Sequence, residues 1–261
     1  MQTVSDAQFL SSLLGGQAVV THTITAVCFD VGDTLIANRR PMRILLQDFF
    51  IKHDEILKRD AIAEALDAVD SRYTHLLKQV RTVDDERRMW LEVARDLLDV
   101  LLPRRRDLYP ALAQWYSEGW KHFKVFRDAV PTLRKLRESS YRLAVVSNWE
   151  PSLPMTLERL GLSSYFETVV VSSIEGLWKP DARLFQIALD RMRVSPEQTL
   201  SVGDHVERDI KTAWEAGMQG ILLDRFDDYP QFSPRLRDLG ELTAWLQLHE
   251  QQRRIPDEVP R

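Results

Sequence analysis

The segment from Ile24 to Phe29 is apolar at every position but Thr25, and it breaks off at Asp30 ahead of the turn Val31-Gly32-Asp33-Thr34-Leu35. A short apolar run of this kind, ending in a glycine-containing turn, predicts a buried strand. A regular alternation follows from about residue 125. Helical periods over 128–138, 154–160, 182–191 and 208–216 are interleaved with apolar runs over 142–146, 168–171, 199–202 and 220–223. Strands alternating with helices of this length predict right-handed βαβ units and a parallel sheet.

Between 41 and about 124 the period is helical and no strand is evident. Ile44, Leu45, Asp48 and Phe49 open one segment, Ala61, Ala65, Leu66 and Val69 mark the next, and Trp90, Val93, Ala94 and Leu97 a third. This block separates the first strand from the second, so it reads as an insertion that sits as a lid over the strands' carboxyl ends. The expected architecture is α/β: a Rossmann-like parallel sheet flanked by helices, with an inserted all-helical cap. The expected bounds are a loosely held leader over 1–23, a core of 24–38 with 125–250, a cap over 39–124, and a polar tail over 251–261. A last helix is expected over 233–249, with Leu236, Leu239, Leu242 and Leu246 on its buried face.

Composition narrows the function classes. At 44% hydrophobic and 28% charged residues, the chain has the profile of a globular domain, and no apolar run approaches a membrane span. The first Lys or Arg is Arg39, so the start lacks the basic region of a secretory signal, and the expected compartment is the cytoplasm. A formal net charge of −4 argues against a nucleic-acid footprint, and Arg104-Arg105-Arg106 reads as a solvated loop. The single cysteine, Cys28, lies inside the first strand, where a thiol behaves as a small buried hydrophobe.

The polar clusters at the strand ends carry the chemistry. They are Asp30, then Ser147-Asn148, then Lys179-Pro180-Asp181, then Gly203-Asp204-His205 followed by Asp209. Carboxyl ends of parallel strands line the crevice in which open α/β sheets bind ligands. The series strand-Asp-x-x-x-Thr-Leu, strand-Ser-Asn, Lys-Pro-Asp, Val-Gly-Asp-x-x-x-x-Asp resembles the haloacid dehalogenase superfamily over nearly all of 24–223, and in detail its phosphatase-like branch with a helical type-one cap. Each motif alone is weak, and four in order on the expected elements are a strong joint signal.

The resemblance implies a magnesium-dependent hydrolase of small phosphorylated substrates, with Asp30 as the nucleophile of an aspartyl-phosphate mechanism. Chemistry agrees, because a carboxylate attacks a phosphate dianion only where the charge between them is offset by a hard cation and positive donors. The implied Mg²⁺ site is Asp30, the Gly32 carbonyl, Asp204 and Asp209, the last holding a coordinated water or orienting Lys179, and the implied phosphate ligands are Ser147, Asn148 and Lys179. Pro180 and Asp181 are expected to start a helix.

One position departs from the pattern. The second residue after the nucleophile is usually an Asp serving as general acid and base, with Gly next, and here Gly32 and Asp33 are exchanged. Asp33 as a displaced acid, a group from the lid, or a substrate with a good leaving group are three open substitutes. His205 could supply the base or be a loop histidine. Trp149 and Trp178 could line a leaving-group pocket or pack against the lid. Arg39 and Arg40 could greet an anionic substrate or be solvated, and Trp115, Tyr116, Trp120 and Phe123 read first as core packing. The competing functions are a metal-free 2-haloacid dehalogenase, a phosphonate-cleaving enzyme using a lid lysine, and a catalytically weakened phosphate binder.

Overall fold

A computed structural model describes residues 22–254. The expected leader therefore lies outside the described residues except for its last two positions, as do residues 255–261 of the tail.

Strand β1 (Ala26–Phe29) is followed by β2 (Ile36–Asn38) and four helices: α1 (Met42–Lys52), α2 (Arg59–Leu77), α3 (Val83–Leu101) and α4 (Tyr109–Ser117). Then come β3 (Phe123–Val125), α5 (Ala129–Glu138), β4 (Arg142–Ser147), α6 (Leu153–Arg159), β5 (Thr168–Val171) and the short α7 (Ser172–Glu175). The chain continues through α8 (Arg183–Met192), β6 (Thr199–Gly203), a π-helical turn (Val206–Lys211) running into α9 (Thr212–Glu215), β7 (Gln219–Leu223), β8 (Arg235–Leu236) and α10 (Gly240–Arg254).

Six strands form one parallel sheet in the order β5-β4-β1-β6-β7-β8. Both faces are covered, which explains why the strands read as continuous apolar runs and not as an alternation. Val27 and Phe29 of β1, with Leu143 and Val145 of β4, pack into a cluster with Leu133 and Leu136 of α5, Leu157 of α6 and Leu242 of α10. Their neighbours Ala26, Cys28, Ala144 and Val146 point the other way, onto Leu184, Phe185, Ala188 and Leu189 of α8. Burial pushes the Cys28 thiol up to about 12, consistent with an inert core side chain.

Helices α1 to α4 share a hydrophobic cluster of their own, built on Leu46, Phe50, Ile62, Val69, Leu97 and Leu112. Helix α3 starts at a capping box, in which Thr82 Oγ1 accepts from the Asp85 amide and the Asp85 carboxylate accepts from the Thr82 amide. None of the described helices is long and apolar enough to cross a membrane.

Three expectations need correction. The helical block is bracketed by a two-stranded antiparallel ribbon, β2 with β3, that the sequence did not suggest. Three-residue strands carry too few side chains to show a period of two. The last helix begins at Gly240 and runs to Arg254, past the expected start of the tail. Its supposed first turn is instead β8, where the Leu222 amide donates to Pro234 O and the Asp224 amide to Leu236 O. Leu236 is buried either way, so its spacing to Leu239 and Leu242 could not separate the alternatives. Finally, α8 starts at Arg183: Pro180 and Asp181 form a turn, with the Asp181 amide donating to Trp178 O and the Asp181 carboxylate accepting from the Arg183 amide.

Candidate active site

β1 is central in the sheet, with β4 on one side and β6 on the other. The ladder extends one residue past β1, because the Asp30 amide donates to Val202 O at 2.9 Å. Asp30 is thus fixed at the carboxyl end of the sheet, between Ser147 ending β4 and Gly203 ending β6. Ser147 Oγ donates to Asp30 Oδ1 at 3.1 Å, and Lys179 Nζ donates to the same oxygen at 2.7 Å.

Lys179 is the electrostatic hinge of the cluster. Its side chain is 2% exposed, and its ammonium donates to Asp30 Oδ1, to Val146 O at 2.9 Å and to Asp209 Oδ1 at 2.5 Å. Burial alone would lower its pKa, but the Asp209 and Asp30 carboxylates outweigh burial and hold it above the ordinary value. The backbone is held as firmly: Asn148 Oδ1 accepts from the Lys179 amide at 2.8 Å, and Asn148 Nδ2 donates to Lys179 O at 2.9 Å. Asn148, expected among the phosphate ligands, has its amide engaged at both ends in positioning Lys179.

Asp209 is fixed from two further directions. Its Oδ2 accepts from the His205 amide at 2.9 Å, and its carbonyl accepts from Ser201 Oγ at 3.0 Å. Gly203 lets it approach: a Cβ on Gly203 would fall 2.4 Å from Asp209 Cγ.

Carboxylate oxygens of Asp30, Asp204 and Asp209 all lie within 4.8 Å of one another. Three carboxylates face one ammonium, so the cluster is short of positive charge. Burial pushes Asp204 up to about 7, with Asp30, Asp209 and Asp33 adding repulsion, and burial likewise raises Asp30, aided by Asp209 and opposed by Lys179 and Ser147. An all-oxygen donor set with surplus negative charge suits a hard divalent cation. The turn after Asp30 leaves the Gly32 carbonyl uncommitted: the Asp33 amide donates to Ile36 O, and the Leu35 and Ile36 amides donate to Val31 O.

The profile of the haloacid dehalogenase-like hydrolases matches residues 24–217. The chain belongs to the haloacid dehalogenase-like hydrolase family. Among its relatives, a glyceraldehyde 3-phosphate phosphatase of Methanopyrus kandleri is 30% identical over 230 residues, covering 82% of this chain and 90% of that protein. A phosphoserine phosphatase of Thermus thermophilus is 33% identical over 134 residues, 50% of this chain and 53% of that enzyme. Two solved structures share the fold. The putative HAD-hydrolase YfnB of Bacillus subtilis, bound to magnesium, superposes with a TM-score of 0.63 at 22% identity over 87% of this chain and 100% of its own. A 2-haloacid dehalogenase of Pseudomonas syringae gives 0.60 at 24% over 87% and 99%.

The remaining candidates of this haloacid dehalogenase-like hydrolase separate clearly. Asp33 is exposed and sits at a φ of 50°, yet its charge is among those that raise Asp204. His205 has a local duty, its Nδ1 accepting from the Arg208 amide at 3.4 Å. Arg39 Nε donates to Phe123 O and Arg40 pairs with Asp48, so both serve the ribbon and α1. Arg104, Arg105 and Arg106 form ion pairs with Glu55, Asp107 and Asp99 on the surface. Trp178 packs against Leu77, Val80 and Met89 of the helical block, whereas Trp149 packs on Phe123 and also lines a cavity. Trp115, Tyr116, Trp120 and Phe123 line the same cavity, and of these Trp115 and Tyr116 also pack on the α1–α4 cluster.

Sequence reasoning missed the contacts that join helices to sheet. Glu86 of α3, 5% exposed, accepts from the Ser152 amide at 2.8 Å and from Ser152 Oγ at 2.7 Å. Tyr73 of α2 donates to Glu150 Oε1 at 2.6 Å. A buried-facing acid such as Glu86, on the helical stripe that also carries Met89 and Val93, was the available signal.

Proposed function

We propose that this hydrolase is a Mg²⁺-dependent phosphohydrolase of small phosphorylated metabolites that works through a phospho-Asp30 intermediate, with residues 39–124 as its cap. The observation that carries this reading is the single arrangement in which Asp30 is bonded by Lys179 and Ser147 while Asp204 and Asp209 crowd beside it. Asp30, Asp204, Asp209 and the Gly32 carbonyl would hold the ion, which when bound offsets the negative charge shared by nucleophile and phosphate. Lys179 and Ser147 fix the reacting carboxylate through their bonds to Asp30, and the Lys179 charge offsets that of the nucleophile. Asp30 attacks phosphorus, the ester P–O bond breaks, and the leaving oxygen takes a proton; water then cleaves the acyl phosphate to release inorganic phosphate and restore Asp30.

Proton delivery is the weak point, because position 32 offers no side chain. A Cβ on Gly32 would meet the Trp149 ring at 3.4 Å, an ordinary contact distance. We assign the proton to Asp33, whose charge reaches the crevice as far as Asp204. Asp33→Asn should slow alkyl phosphates by about 10²–10⁴-fold and p-nitrophenyl phosphate far less, since a good leaving group needs no acid. Equal losses on both substrates would return Asp33 to turn duty.

The dehalogenase reading has the fold in its favour, but a haloacid carboxylate would meet the surplus negative charge of three aspartates. The deciding assay is turnover of p-nitrophenyl phosphate with and without Mg²⁺. Loss on chelation and recovery with Mg²⁺ supports phosphoryl transfer. Chelator-insensitive halide release from a 2-haloacid, with no phosphatase activity, would overturn it.

A further inference from the structure

Between the helical block and the sheet lies a cavity of about 340 Å³ whose walls come from α2, α3, α4, the ribbon and the loop after β4. Tyr73, Trp90 and Tyr116 form a stacked column along it, with ring centroids 5.5 Å and 4.7 Å apart. The polar edges of this column are tied to carboxylates: Tyr73 Oη to Glu150 at 2.6 Å, and Trp90 Nε1 to Glu86 at 3.2 Å. The rings are therefore held in place before any ligand arrives. Asp67 and Asp70 add exposed carboxylates to the lining.

The lining contains no Lys and no Arg. Lys121 and Arg159 lie against the Trp120 ring and are not among the lining residues. Its histidine, His122, is kept towards the neutral form by burial, with Lys121 and Lys52 adding to the effect. Burial pushes Glu150 towards its neutral form as well, so the exposed carboxylates of Asp67 and Asp70 supply the negative charge of the lining. Aromatic walls with such acids and no Lys or Arg of their own favour a cationic group over an anionic one.

The cavity adjoins the reaction site. Trp149 lines it and also stands at contact distance from the Cβ position of Gly32, two residues after Asp30.

We propose that this cavity receives the organic part of the substrate and selects a small alkylammonium group, so that the preferred phosphate esters carry a cationic leaving group and not a carboxylate or a second phosphate. The assignment of a phosphate ester rests on the function proposed above; the preference for a cation rests on the cavity alone. The two are separable by experiment.

Choline chloride and its neutral carbon isostere, 3,3-dimethylbutan-1-ol, have the same shape and differ in charge. Binding of each to the full-length protein is measured by calorimetry and by quenching of tryptophan fluorescence. Choline is expected to bind about tenfold more tightly or better. Asp67→Asn and Asp70→Asn, at exposed positions of the lining, should each weaken choline severalfold and leave the isostere unaffected. Equal binding of the two probes, no binding of choline, or indifference to both substitutions overturns the proposal. In turnover, phosphocholine should exceed 3,3-dimethylbutyl phosphate in kcat/KM by about the same factor. Mg²⁺-dependent hydrolysis of p-nitrophenyl phosphate without that preference would sink the cavity assignment alone. Choline selectivity without any phosphatase activity would sink the reaction and keep the cavity.

Discussion

Gly203→Ala isolates one contact on which the site depends. The added Cβ would lie 2.4 Å from Asp209 Cγ and 2.5 Å from Asp209 Cβ and Oδ2, well inside van der Waals distance. Asp209 has nowhere to retreat: it is 2% exposed, its Oδ1 is bonded by Lys179 and its Oδ2 by the His205 amide. Either the strand end moves, at an overpacking cost of about 1–3 kcal/mol, or the carboxylate is expelled from Lys179. Breaking a buried ion pair costs about 3–5 kcal/mol. The expected loss is therefore about 1–5 kcal/mol in urea denaturation, together with weaker Mg²⁺ binding, because either response displaces Asp209 or the strand end from the carboxylate cluster. Gly119→Ala is the control, since a Cβ there meets nothing within 4 Å, and it should change stability by no more than about 0.5 kcal/mol. A Gly203→Ala loss below about 1 kcal/mol with Mg²⁺ binding intact would refute the claim that the close approach is essential.

Three further outcomes follow from the geometry. Glu86→Ala leaves the Ser152 amide without its acceptor, so stability should fall by about 1–3 kcal/mol and amide exchange around 152 and in α3 should rise; unchanged exchange there would show that the contact does not join helices to sheet. Asp204 is raised from 3.8 to about 7 in the metal-free protein, so between those values the folded chain holds a proton that the unfolded chain lacks. That group favours the apo fold as pH falls through about 7 and disfavours it above, and Mg²⁺ must expel the proton to bind. Mg²⁺ affinity at about pH 6 should be roughly tenfold weaker than at about pH 8, with buffer-dependent heats in calorimetry revealing proton release; flat affinity across that range would remove Asp204 from the ligand set. Lys179→Met should remove the ammonium that offsets Asp30 and Asp209, giving a loss of about 3–5 kcal/mol that is relieved in part by lowering the pH; an insensitive variant would mean that the pair is not what holds the cluster.

The sheet was legible because its strands are buried on both faces, which leaves an apolar run with a polar residue at each carboxyl end. Asp30, Ser147, Asp204 and Asp209 could thus be placed on one edge from sequence alone, and they do converge. Asn148 falls beside the same edge, and its side-chain bond to the backbone of a residue 31 positions away had no local signal. The ribbon β2–β3 and strand β8 are too short to carry a period, and Pro234 hid the latter. The Gly203–Asp209 approach and the meeting of Trp149 with Gly32 are consequences of packing between distant segments, for which no local pattern exists. The cavity is hidden for the same reason, since its aromatic residues read first as the core of a helical bundle.

The central claim is that Asp30 itself becomes esterified by phosphate. It is tested by mixing the protein with Mg²⁺ and p-nitrophenyl phosphate, quenching in acid during turnover, reducing with borohydride and sequencing the peptides by mass spectrometry. The account predicts reduction of residue 30 to homoserine, dependent on Mg²⁺ and absent in Asp30→Asn. Steady release of p-nitrophenol with Asp30 recovered unmodified at every quench time would contradict it.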